Sequence, residues 1–226
     1  MQTLDLEQKK ALYLHLGQHL SANKIPLFDQ VWSQRNSALR LVLENIYQPL
    51  NASAILRTAD ALGIHWVDVI ENEHPWTINR KIAKGALDWL HIQRHQAVEE
   101  VLLDLKKRGF QIVVTDFSPE AISIHDFVPE KPVALVMGTE LSGISNIVKE
   151  MADVAVVIPM TGFSKSLNVS VAAGIALSHL TPRTQPLCSA FPFDEEEKYD
   201  TLIQWACHSI YWSDTLVREF MEQGKV

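Results

Sequence analysis

The chain has 226 residues, 47% hydrophobic and 21% charged, the balance of a folded chain and not of a disordered one. That length suits one domain with a sizeable core and peripheral helices. No stretch approaches the roughly 20 apolar residues of a bilayer span, and the start, MQTLDLEQKK, lacks the basic-then-apolar order of a secretion signal. Cys188 and Cys207 form no Cys-x-x-Cys pair, so no metal site is indicated and a reducing compartment fits, the cytoplasm by default. A net charge of −7 argues at first against nucleic acid. Its distribution softens that: residues 1–110 carry 13 Lys and Arg against 12 Asp and Glu, while 111–226 carry 7 against 15. Arg35, Arg40, Arg57, Arg80, Lys81, Lys84 and the run Lys106-Lys107-Arg108 offer a local basic face, with scattered solvated charge as the alternative.

The first 38 residues read as an accessory helical extension, with Leu4, Leu6, Leu12, Leu14, Leu16 and Leu20 on mixed spacing. From residue 40 onward, short β-rich runs alternate with helical ones, the pattern of an α/β domain over 39–181. Strands are predicted at 41–46, 66–70, 111–115, 133–137 and 154–159. Several are apolar on both faces, as in a mostly parallel sheet with helices on both faces. The connecting helices are predicted at 52–62, 97–108, 143–151 and 167–180. Pro182 and Pro186 then stop the last helix and open a linker. Residues 182–226 form a C-terminal linker and one helix over 195–220, its acidic start suited to the helix dipole.

Three segments carry candidate chemistry. In Asn51-Ala-Ser-Ala-Ile-Leu-Arg-Thr-Ala-Asp-Ala-Leu-Gly63, after the breaker Gln48-Pro49, Asn51 suits an N-cap and Gly63 the position beyond the helix end. Arg57 stands in the middle of an Ala, Ile and Leu helix, on one stripe with Ser53 and Asp60; an ion pair with Asp60 is the structural alternative to function. In Leu135-Val-Met-Gly-Thr-Glu-Leu-Ser-Gly143 an apolar strand runs into a loop bracketed by glycines, with Glu140 between them and Gly143 opening the next helix. Such loops line ligand sites at the carboxyl ends of strands, and this one matches neither phosphate-loop nor dinucleotide fingerprint. The third segment, 156–174, joins a strand ending at Pro159 to a turn at Gly162 and a helix capped at Ser166, with Asn168 in its first turn.

In this order, Asn-x5-Arg-Thr-Ala, Met-Gly-x-Glu-x-x-Gly and Ile-Pro-Met with Ser-Leu-Asn-Val-Ser resemble the three motifs of the SPOUT-class RNA 2'-O-methyltransferases, specifically the TrmH family that methylates tRNA guanosine 18. The resemblance covers about residues 40–180. It implies an α/β SPOUT fold with a C-terminal trefoil knot made by roughly 133–180, a topology rare among folds. It also implies a homodimer through the knotted region and S-adenosyl-L-methionine as methyl donor, with no metal and no membrane. Carried over by position, Thr115, Gly138, Ile158, Met160 and Leu167 hold the cofactor, mainly through backbone groups. Arg57 matches the catalytic arginine, and Asn51, Glu140, Ser166 and Asn168 orient it, the nucleotide and the loops. A guanidinium is a poor base, so stabilising a developing alkoxide and a neighbouring phosphate is the preferred role of Arg57 over proton abstraction. The RNA partner implied is tRNA. Ribosomal RNA, or a non-catalytic RNA-binding role, are the alternatives, and the acidic tail, with 4 Lys and Arg against 8 Asp and Glu from Arg183 on, is a doubtful phosphate-binding element.

Overall fold

The computed structural model describes residues 4–73, 75–139 and 142–222. Its elements are α1 (Leu6–Gly17), α2 (Lys24–Ser33), β1 (Leu39–Glu44), α3 (Pro49–Ala61), β2 (Trp66–Ile70), α4 (Arg80–Ala83), β3 (His91–His95), α5 (Val98–Lys107), β4 (Gln111–Thr115), β5 (Ile122–Ser123), β6 (Val133–Met137), α6 (Asn146–Met151), β7 (Val154–Val157), α7 (Val169–Thr184), α8 (Glu195–Ser209) and α9 (Ser213–Glu222). They divide into two compact units, residues 36–192 and residues 1–35 with 193–226.

In the larger unit the seven strands form one sheet in the order β3-β2-β1-β6-β4-β7-β5, with every pairing parallel. Side-chain alternation along β1 shows why the strands read as unbroken apolar runs. Leu39, Leu41 and Leu43 join a core with residues of α3 and α7, while Val42 joins a second core with residues of α5 and α6. The predicted bounds of β2, β4 and β6 coincide with the observed ones. Two strands were not predicted: β3, the polar edge strand HIQRH, and the two-residue β5. The chain leaves β7 on the far side of β4, yet α7 packs back on α3, β1 and β6. That return crossing is what a knotted C-terminal segment requires.

The helix ends correct the capping expectations. Pro49 does not break a helix; it occupies the first position of α3, where its missing N–H costs nothing, and Gln48 is the N-cap. Asn51 is therefore buried inside the first turn. Asn168, and not Ser166, caps α7, its side chain accepting from the Ser170 amide. Ser145 caps α6, so that helix starts beyond Gly143. Helix α7 also continues through Pro182, and just beyond it Arg183 donates to the His179 carbonyl and the Thr184 hydroxyl to that of Leu180.

In the smaller unit α1, α2, α8 and α9 surround a core of Leu12, Leu16, Phe28, Leu202, Trp205, Leu216 and Phe220. The single tail helix expected over 195–220 is two helices, because Ile210 takes an extended conformation. The acidic start of α8 is met by α1: Lys9 pairs with Asp200 and Glu196, and Lys10 with Glu195. Among the described residues no helix is long and apolar enough to cross a membrane, and no cluster of His, Cys, Asp or Glu is arranged to hold a metal ion.

Candidate active site

The carboxyl ends of β4, β6 and β7 lie side by side, and the loops leaving them enclose a cavity of about 370 Å3. The position is the one expected of a ligand site in a parallel sheet. Its wall includes Thr115, Gly138, Ile158, Met160 and Leu167, all five residues assigned to the cofactor by position, together with Ser166.

The loop after β6 is closed by backbone. Thr139 and Gly143 exchange amide-to-carbonyl hydrogen bonds of 2.9 and 3.1 Å, and Thr139 and Ser142 link their hydroxyls at 2.7 Å. Gly138 sits so close under this closure that an added Cβ would lie 2.3 Å from the carbonyl carbon and oxygen of Gly143. Gly143 itself has φ +69°, open to glycine at little cost. Glu140 lies outside the described residues.

Asn51 and Asn168 come together across the starts of α3 and α7, the Asn168 amide donating to Asn51 Oδ1 at 3.1 Å. The Asn168 side-chain oxygen also accepts from the amide and hydroxyl of Ser170. Ser53, on the same helix as Asn51, accepts from the Asn79 amide at 2.8 Å and donates to the Pro49 carbonyl, fixing the segment before α4 to α3.

Arg57 is exposed and, among the described residues, forms no ion pair, so the alternative of a pair with Asp60 is not realised. It lines a different, shallow depression with Ala54, Thr58, Ala61, Gly174 and Ser178. Around α7, Val169 and Ala172 face the cavity at the strand ends, while Gly174 and Ser178 face Arg57. At 3.6 residues per turn the members of one pair point about 120–180° away from those of the other. Within one chain, α7 thus separates Arg57 from the cavity.

Sequence reasoning missed Glu44. It ends β1, is 2% exposed, and its carboxylate accepts from the Ser145 amide at 2.9 Å, anchoring α6 beside the Gly143–Ile144 wall of the cavity. An acidic residue directly after the apolar run Leu41-Val42-Leu43 was the available signal. Asp116, Phe117 and Lys165, which also line the cavity, were missed because loop side chains have no periodicity to read, and Lys149, on the six-residue α6, because so short a helix shows none either.

The SpoU rRNA Methylase family matches residues 38–178. The chain belongs to this SpoU family. It is accordingly an enzyme, an RNA 2'-O-methyltransferase, with the α/β fold of that family. It is 32% identical over 190 residues to a tRNA (guanosine(18)-2'-O)-methyltransferase of Borreliella burgdorferi, covering 84% of this chain and 87% of the relative. Among solved structures it resembles the A. aeolicus TrmH/SpoU tRNA modifying enzyme, with TM-score 0.74 and 35% identity over 82% of this chain and 96% of that one. An AdoMet-bound rRNA methyltransferase from Sinorhizobium meliloti shares 25% identity at TM-score 0.58 over 65% of this chain and 56% of that one. Related SpoU proteins therefore bind AdoMet, and the family includes enzymes of both tRNA and rRNA.

Proposed function

We propose that this SpoU-family enzyme is a cytoplasmic tRNA (guanosine-18-2'-O)-methyltransferase that takes its methyl group from S-adenosylmethionine and acts as a homodimer. The observation that carries the reading is the cavity at the ends of β4, β6 and β7, which gathers Thr115, Gly138, Ile158, Met160 and Leu167. Small residues and backbone at Gly138 and Gly143 suit a flat ring, and the apolar wall of Ile158, Met160 and Leu167 suits its burial. When bound, the cofactor supplies an electrophilic methyl on a sulfonium. In the transfer an O–CH3 bond forms, the S–CH3 bond breaks and the ribose 2'-hydroxyl loses its proton.

The chain's own residues align and stabilise. Arg57, exposed and without an ion pair among the described residues, is available to bind a phosphate bidentately and to stabilise charge developing on the 2'-oxygen. Asn51 and Asn168 hold the starts of α3 and α7 in register, and Ser166 stands on the cavity wall to meet the nucleotide. Glu140 keeps the orienting role proposed for it by position.

Because α7 stands between Arg57 and the cavity, we assign the complete site to two chains, Arg57 of one serving the cavity of the other. The small residues Ala54, Ala61, Gly174 and Ser178 around Arg57 permit close backbone approach, and the exposed apolar side chains of Leu50 and Val171 lie on the same two helices. The test is direct. Arg57→Ala removes methyl transfer by about 100-fold or more while leaving cofactor binding within about twofold. Mixing Arg57→Ala chains with chains disabled in the cavity by Gly138→Val restores part of the activity in mixed dimers. An active Arg57→Ala enzyme, or mixed dimers without recovery, overturns the respective assignment.

The acceptance of ribosomal RNA is the second reading, favoured by the likeness to the Sinorhizobium meliloti enzyme. The tRNA reading has the broader support, since the Borreliella burgdorferi relative matches over most of both chains.

A further inference from the structure

Most of the wall of the 370 Å3 cavity is apolar, hydroxyl or backbone, yet three charged side chains reach it. Asp116 directly follows β4, Lys149 lies on α6 and Lys165 stands in the loop between β7 and α7. None of the three has an ion pair or a side-chain hydrogen bond among the described residues. They are also adjacent to residues already assigned to the cofactor: Asp116 to Thr115, and Lys165 to Ser166 and Leu167.

An adenosine group has no use for these charges. An α-amino acid group does, because its ammonium and carboxylate lose hydration at a protein wall unless each meets an opposite charge. The cavity supplies both signs, two cations and one carboxylate, next to an apolar wall that fits the uncharged part of the same ligand.

We propose that Lys165 and Lys149 hold the carboxylate, and Asp116 the ammonium, of the amino-acid end of the cofactor. This rests on the reading that the cavity binds S-adenosylmethionine. It adds a side-chain subsite to a recognition otherwise made by backbone groups, and it predicts selection for ligands that carry the amino-acid end.

Calorimetric titration of the full chain with S-adenosylhomocysteine and with 5'-methylthioadenosine tests it, since the second compound keeps the adenosine and thioether but lacks the amino-acid end. Lys149→Met/Lys165→Met together weaken S-adenosylhomocysteine by about tenfold, as expected for lost charge-assisted contacts, and Asp116→Asn weakens it by about threefold to tenfold. All variants bind 5'-methylthioadenosine as wild type does. The preference of the wild type for S-adenosylhomocysteine also narrows as salt rises. Both lysines are exposed, so the variants fold, and circular dichroism checks this. Equal loss for both compounds, or no loss for S-adenosylhomocysteine, overturns the subsite. Lysine variants that weaken only RNA binding overturn it too and reassign those cations to phosphate. A wild type that binds neither compound instead defeats the cofactor reading itself.

Discussion

At Gly138 a single carbon decides whether the cavity exists. A Cβ there would meet the Gly143 carbonyl group at 2.3 Å and the Ile144 amide nitrogen at 2.4 Å, all backbone, which has no flexible end to move aside. Gly138→Ala should therefore displace the 139–143 closure, lower stability by about 1–3 kcal/mol and weaken cofactor binding. Thermal unfolding together with calorimetry checks both, and an alanine enzyme with unchanged cofactor affinity would refute this account of the loop. Glycine at this place was legible in the motif; the reason for it was not, because the clash is with backbone five residues away.

A second residue-scale case lies on the other sheet face. Arg40 and Asp68 are each about 2% exposed by side chain and pair with each other, with His95 at 2.9 Å from Asp68 and Gln93 at 3.1 Å from Arg40. Burial would raise the Asp68 carboxyl, but the hydrogen bonds from His95 and Arg40 outweigh it and hold the group below the usual carboxylate range. The stability this contributes is present above the unfolded pKa of about 3.9 and is lost as pH falls through the lower folded value. Asp68→Asn should cost about 3 kcal/mol or more near neutrality by stranding the arginine, and the loss should shrink below about pH 4. Denaturant unfolding at pH 7 and pH 3 measures it; an equal loss at both would contradict the pairing as its source. The sequence placed Arg40 among candidate surface cations. Instead it is buried against Trp66, its guanidinium 4.5 Å from the ring centroid, because β1 alternates faces and residue 40 points inward.

At the scale of elements, strands buried on both faces were easy to read and helix starts were not. Val-rich and Ile-rich runs announce β2, β4 and β6 without regard to neighbours. The start of α3 depends on Pro49 at its first position, and that of α7 on which of Ser166 and Asn168 has the extended backbone of a cap. Local composition offers both choices equally. The polar strand β3 escaped notice because it is an edge that packs one flank only. Since Asn168 both caps α7 and donates to Asn51, Asn168→Ala should lower stability by about 1–2 kcal/mol. Asn168→Asp should keep the cap and lose only the bond to Asn51. Melting temperatures of the two variants compare these contributions, and equal losses would show that the cap is not the stabilising feature.

For the whole molecule, charge explains more than the net value of −7 suggests. Part of the acidic tail is consumed by Lys9 and Lys10 within the terminal helical unit, so that acidity stabilises helix packing there as well as repelling phosphate. The pairing of the two chain ends in one unit was invisible in the sequence, since no local pattern links residue 9 to residue 200. Most of the cavity wall at the ends of β4, β6 and β7, by contrast, falls in the second and third sequence motifs, while the separation of Arg57 from it by α7 needed coordinates. The central claim is methyl transfer to a tRNA ribose, and mapping the product tests it most directly. Wild-type protein is incubated with methyl-labelled S-adenosylmethionine and total RNA from a strain lacking the enzyme, and the labelled nucleotide is located. The account predicts label on the ribose 2'-oxygen of guanosine 18 in tRNA; label on a base, or in ribosomal RNA only, would contradict it.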